Sequence, residues 1–234
     1  MRILAMDSSS LVASVAVLED DVLMAEYTMN YKKTHSQTLL PMIDEVVKMT
    51  ELDLQTIDAI AISKGPGSFT GLRIGSATAK GLGLALDKPI VAVPTVDAMA
   101  YNLWGSADII VPIMDARRNQ VYTGIYTFEG KHMQVLREQC AIAIEELLAD
   151  LNERGRKVIF LGDGVPVFKE KIEEGLTVPY EFAPAHMNRQ RAGAVGALAE
   201  LYYEKGMTET ADVHKPDYLR LSQAERERQE RQEH

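Results

Sequence analysis

At 234 residues, with 46% hydrophobic and 25% charged residues, the chain has the makeup of one large globular domain or two small ones with a sizeable core. A formal charge of −9 argues against tight nucleic-acid binding by the chain alone, although a local basic patch is compatible with it. The single cysteine, Cys140, rules out an internal disulfide and suits the cytoplasm; the apolar run in residues 1–7 is too short for a signal peptide, and no stretch has the length of a membrane span.

Residues 3–6 read as a buried strand ending at Asp7, followed by the polar turn Ser8-Ser9-Ser10. Residues 12–18 and 22–28 continue as strands joined by the turn Glu19-Asp20-Asp21, which makes two successive antiparallel hairpins. A helix is expected over 36–49, with Pro41 tolerated in its first turns. Its apolar positions Leu39, Leu40, Met42, Ile43, Val46, Val47 and Met49 exceed the single stripe of an ordinary surface helix. A strand over 57–62 then leads into Ser63-Lys64-Gly65-Pro66-Gly67-Ser68-Phe69-Thr70-Gly71-Leu72-Arg73-Ile74-Gly75.

This glycine-rich block joins a strand to a helix expected over 71–86, with Ser68 and Thr70 placed to cap it. Such a turn can serve as an anion site, because free N–H groups and the helix dipole point outward there; it can equally be a connector whose glycines serve geometry alone. It matches neither the P-loop spacing nor the dinucleotide fingerprint. In the helix, Gly71, Gly75, Ala79 and Gly83 recur every four residues and share one face. Glycine costs about 1 kcal/mol against alanine inside a helix, so three of them point to the close approach of another helix. Only Arg73 and Lys80 are charged between Gly71 and Leu86, as expected of a helix covered nearly all round.

A strand over 90–93 and a helix over 96–103 follow, and then the pattern restarts. Residues 109–115 again form an apolar strand ending in Asp115, with the turn Ala116-Arg117-Arg118-Asn119 and strands over 121–126 and near 133–137. An amphipathic helix over 142–153, a strand over 158–161, the turn Gly162-Asp163-Gly164 and a helix over 165–172 complete a second βββαβα unit. A short strand near 178–182 and a long helix over 189–205 come next, and residues 224–234 are nearly all charged or Gln, as in a solvated, fraying helix.

Two βββαβα halves, each with an aspartate closing its first strand, look like the actin, sugar-kinase and Hsp70 ATPase superfamily, an α/β fold of the RNase H-like type. The expected division is 1–104 for the half carrying the partner-binding helices and 105–234 for the half with the charged tail. Within that superfamily, Met6-Asp7-Ser8-Ser9, the block from Gly65 to Gly75, and Pro216-Asp217-Tyr218-Leu219-Arg220 closely resemble the TsaB (YeaZ) family. The resemblance implies a non-catalytic partner of the TsaD ligase, in the complex that makes N6-threonylcarbamoyladenosine beside the anticodon of tRNAs reading ANN codons. It further implies a TsaE-like ATPase as a third member, tRNA contacted through the complex, a homodimer when alone, and no membrane association.

The residue types agree with a scaffold more than with an enzyme. No two of His35, His132, His186, His214 and His234 stand four apart, so no helix presents an imidazole pair to a metal. The turns after Asp7 and Asp115 contain no glycine to admit a phosphate, so no tightly bound cofactor is expected, and ATP or ADP only within the partner complex. The expected partner surface is Leu39, Met42, Ile43 and Val46 of one helix with Gly71, Ile74, Gly75, Thr78, Ala79, Leu82 and Gly83 of the other. A weaker nucleotide set is Asp7, Lys64, Gly65, Gly67 and Arg73. For Asp7 and Asp115 a capping role at the strand end competes with a nucleotide or magnesium contact. Arg117 and Arg118 can meet tRNA phosphate or be a solvated turn, and Gly162-Asp163-Gly164 can hold adenosine or merely open a helix. A small-molecule kinase needs a phosphate cradle and a glycoprotease-like hydrolase needs a metal pair or an activated nucleophile; both remain as alternatives that the residues disfavour.

Overall fold

A computed structural model of the chain describes residues 1–32 and 34–220. The first segment runs β1 (Arg2–Asp7), β2 (Val12–Glu19), β3 (Val22–Asn30), α1 (His35–Met49), β4 (Ala59–Gly65), α2 (Phe69–Leu86), β5 (Ile90–Pro94) and α3 (Thr95–Tyr101). The second repeats it as β6 (Ile109–Asp115), β7 (Gln120–Glu129), β8 (His132–Ala143), α4 (Ile144–Arg154), β9 (Val158–Leu161), α5 (Val165–Gly175), β10 (Tyr180–Phe182) and α6 (Ala192–Glu204). The two sheets, β3-β2-β1-β4-β5 and β8-β7-β6-β9-β10, have the same topology: an antiparallel meander of three strands with two parallel strands added beside the first. The duplicated α/β architecture is therefore present, and each half carries one strand and one helix beyond βββαβα.

Period-two alternation sorts β1 between two cores. Leu4 and Met6 face a cluster shared with Leu39, Met42, Ile43 and Val46 of α1, whereas Ile3 and Ala5 face Val195, Leu198 and Ala199 of α6. Helices α1 and α2 thus cover one face of the first sheet, and α6, from the far end of the chain, covers the other. Gly196 lets α6 lie directly on Leu18, whose methyls fill the space a side chain at 196 would need. Helix α3 packs on β4 and β5 of the first sheet and on β6, β7 and β8 of the second, joining the halves. The second sheet has the same two cores, one under α4 and α5, the other under α3.

Several element boundaries differ from expectation by a few residues, and three of the differences have a visible cause. Strand β8 runs to Ala143 and absorbs the start of the helix expected at 142, because it pairs with β7 at both ends of the hairpin, Glu129 with His132 and Gln120 with Ala143, with register shifts near Ile125 between them. Helix α2 begins at Phe69, two residues early, with Ser68 as its cap: Oγ accepts from the Gly71 amide at 3.3 Å. Thr70 lies inside the helix. Helix α6 starts at Ala192, held by Ser14 Oγ and Glu26 on the first sheet. The charged run 224–234 lies outside the described residues.

Candidate partner-docking face and interdomain cleft

The aspartate ends of β1 and β6 face one another across a cleft between the halves. A cavity of about 600 Å³ opens there, lined by Ser9, Ser10, His35, Gly67, Phe69 and Leu72 from the first half and by Asp115, Arg117, Tyr122 and Asp163 from the second. Of the weaker nucleotide set Asp7, Lys64, Gly65, Gly67 and Arg73, only Gly67 lines it, whereas Asp115 and Asp163, the other nucleotide candidates, both do. Asp7 is 1% exposed and turned into the protein: Oδ1 accepts from the Ser9 amide at 2.8 Å and the Ser9 hydroxyl at 2.7 Å, and Oδ2 accepts from Ser63. Burial pushes its carboxyl above the usual range, against the pull of those hydrogen bonds. It caps its own turn. Asp115 does the same in the second half, accepting from the Arg117 amide at 2.8 Å and pairing with the Arg117 guanidinium at 3.1 Å. Asp163 borders the cavity, and burial raises its carboxyl as well.

The glycines that resemble a phosphate cradle are in contact with this chain's own backbone. A Cβ at Gly67 would overlap the Ser9 carbonyl, one at Gly71 the Ser8 carbonyl, and one at Gly162 the Ile113 carbonyl. At Gly65, where φ is +123°, the obstruction is the Asp217 carbonyl of the C-terminal segment. The Ser68 amide donates to the Ser9 carbonyl at 2.6 Å and the Ser8 hydroxyl to the Gly71 carbonyl at 2.9 Å, so this loop is sewn to the turn after β1. Lys64 gives its carbonyl to the Asp217 amide at 2.6 Å, and Arg73 lies over the Phe69 ring at 4.0 Å.

Most of the expected partner surface is buried within this chain. Leu39, Met42, Ile43 and Val46 are the core-facing stripe of α1, buried against the sheet. The row Gly71, Gly75, Ala79 and Gly83 is buried too: Gly75 fits over Ser8 and Ile62, and Gly83 over Ala211. The close approach that the glycines permit is therefore by this chain's own sheet and C-terminal segment. Ile74, Thr78 and Leu82 remain partly accessible. What the two helices leave open is a different row on α2, Arg73, Ala77, Gly81, Leu84 and Ala85; Leu40 and Met49 of α1 are exposed as well. Leu84 is 63% and Met49 76% exposed, and nothing stands within 4 Å of a Cβ built on Gly81. The sequence signal for this row was the low charge of the whole helix, whereas the glycine periodicity marked the face that packs on this chain's own sheet and C-terminal segment.

Another grouping absent from the sequence reading lies between the halves. Asp97 on α3 accepts from Tyr126 at 2.7 Å and from Tyr202 at 3.3 Å, with burial raising all three pKa values. Nothing nearby in sequence links these residues, so only the fold reveals them. Among the described residues, no group of three or more His, Cys, Asp or Glu side chains could hold a metal ion.

A relative from Bacillus subtilis, tRNA threonylcarbamoyladenosine biosynthesis protein TsaB, is 37% identical over 227 residues, covering 96% of both chains. The chain belongs to the TsaB family. A family model described as TsaD: tRNA N6-adenosine threonylcarbamoyltransferase matches residues 23–228. The crystal structure of YeaZ from Pseudomonas aeruginosa superposes with a TM-score of 0.80 at 26% identity, over 93% of this TsaB-family chain and 99% of that one. Ethanolamine utilization protein EutJ from Carboxydothermus hydrogenoformans, 13% identical with a TM-score of 0.51 over 84% of this chain and 89% of that one, shares the fold alone. The actin, sugar-kinase and Hsp70 ATPase architecture expected from the duplicated halves is the one observed.

Proposed function

We propose that this TsaB-family chain is the non-catalytic scaffold subunit of the complex that installs N6-threonylcarbamoyl on the adenosine beside the anticodon of tRNAs reading ANN codons. It acts by pairing with a TsaD-like ligase through the exposed row of α2 and the adjoining part of α1. A TsaE-like ATPase joins the pair, tRNA is met through the complex, and a second copy of the chain takes the ligase's place when it is alone. The observation that carries this reading is the open row Ala77, Gly81, Leu84 and Ala85, small and apolar on a helix whose other side is already packed. A helix whose outer face is mainly small and apolar lets another helix come to close contact distance.

The cleft supports a non-catalytic role. Its glycines face backbone of this chain, and the carboxylates of Asp115 and Asp163 border the space a phosphate chain would need, so the residues present do not fit a nucleotide held by this chain alone. Nucleotide enters with the partner.

Gly81→Arg combined with Leu84→Glu tests the reading, since both positions are open and the fold has no stake in them. In cells depleted of the native gene, mass spectrometry of tRNA nucleosides is expected to show N6-threonylcarbamoyladenosine restored by the unaltered chain and not by the double variant. Full restoration by a folded double variant would overturn the docking face.

A further inference from the structure

The motif Pro216-Asp217-Tyr218-Leu219-Arg220 has no part in the docking face. It lies across the mouth of the cleft and touches both halves. The segment reaches that place along α2. Glu209 bridges to Ile90, Ala211 packs on Gly83, and Lys80 Nζ donates to the carbonyls of Asp212 at 2.9 Å and His214 at 3.2 Å. It then crosses. On the first half, the Asp217 amide donates to the Lys64 carbonyl at 2.6 Å, and the Tyr218 ring lies 4.5 Å from Phe69, tilted by 32°. Arg73 Nε donates to the Tyr218 hydroxyl at 3.4 Å. On the second half, Gln139 Nε2 donates to the Asp217 carboxylate at 3.2 Å and Arg220 Nη1 to the Ala116 carbonyl at 2.7 Å. Asp217, Tyr218, Leu219 and Arg220 form one wall of the cavity.

These ties differ in kind from the rest of the joint between the halves. Helix α3 is buried between the sheets, with Val96, Met99 and Ala100 in a core shared with β6 and β7. The crossing has one backbone hydrogen bond, one ring contact and side-chain bonds near solvent, with no strand pairing. Segments held in this way open locally at far smaller free energies than the core. Gly65 keeps its bare face for this contact, since the Asp217 carbonyl lies where its side chain would be.

We propose that residues 216–220 are a releasable strap that ties the two halves across the cleft and governs both their separation and access to the cavity. This stands independently of the docking face. It shares Arg73 with that face, so the strap's aromatic anchor lies beside the open row of α2.

The test uses the full chain in a Cys140→Ala background, with spin labels at Gln37→Cys and Glu170→Cys, one exposed site on each half. Double electron–electron resonance on the otherwise unaltered chain, diluted with excess unlabelled chain so that a dimer carries at most one labelled copy, is expected to give one narrow distance distribution. Tyr218→Ala with Arg220→Ala is expected to broaden it and add a longer component. Hydrogen exchange should then show faster exchange of the amides in 65–72 and 116–118, with those of β1 and β6 unchanged. Gln139→Leu removes one tie from the opposite wall and leaves the strap sequence intact, so a poorly folded double variant does not end the test. Identical distance distributions and identical exchange in the strap variants and the parent would overturn the proposal.

Discussion

Asp7 carries a carboxylate into a place water does not reach, and the consequence is a dependence of stability on pH. Its carboxyl is raised by burial above the ordinary value near 3.9 that it has when unfolded. The folded state therefore binds this proton more tightly, and the contribution of Asp7 to stability is fully present below about pH 4 and is lost as pH rises through the raised value. Asp7→Asn keeps the acceptor for the Ser9 amide and has no charge to bury. It is expected to raise the melting temperature relative to the parent at pH 7, with the gain vanishing below about pH 4; thermal unfolding at the two pH values checks this. A pair of glycines separates packing from exposure in the same way. A Cβ at Gly75 overlaps Ser8 Oγ and sits 3.0 Å from Ile62, so Gly75→Ala is expected to cost about 1–3 kcal/mol in urea denaturation. Gly81→Ala enters open space in a helix interior and is expected to stabilise by roughly 1 kcal/mol. The four-residue spacing of Gly71, Gly75, Ala79 and Gly83 told correctly that something packs closely on that face. Which surface does so is a long-range fact, and periodicity within one helix carries no information about it.

At the scale of elements, legibility followed the range of the interactions. Strand β9 and the first hairpins could be read because alternation and turn residues are local signals. The last six residues of β8 could not: Cys140, Ala141, Ile142 and Ala143 are extended because β7 pairs with them, and Glu138 and Gln139 lie at a register shift between the paired stretches. Helix α6 was recognisable as a helix, and its place on the first sheet was not. That place depends on Glu26 of β3. Its carboxylate accepts from Arg191 Nε at 3.0 Å and from the Gly193 amide at 2.9 Å, at the positive end of α6. Glu26→Ala leaves a largely buried amide and a guanidinium without their acceptor. The expected loss is about 1–3 kcal/mol in urea denaturation, with hydrogen exchange accelerating in α6 before β6. Equal exchange in both elements would mean that α6 is held by its apolar face alone.

For the whole molecule, duplication was visible in the restarting strand–aspartate pattern, and the cleft between the halves follows from it. The strap's sequence was conspicuous while its destination was hidden, because residues 65 and 217 are adjacent only after both sheets have formed. The same holds for the exposed row of α2, which emerges once Leu39, Met42, Ile43 and Val46 have gone into the core. The central claim is that this row, and not the buried glycine row, is where another molecule docks. Gel filtration with multi-angle light scattering tests it most directly, on the chain alone and mixed with the TsaD-like ligase of the same genome. The expected result is a homodimer that gives way to a one-to-one heterodimer, with both species lost in the folded Gly81→Arg, Leu84→Glu variant. A heterodimer of undiminished yield with that variant, or a monomer that ignores the ligase, would contradict it.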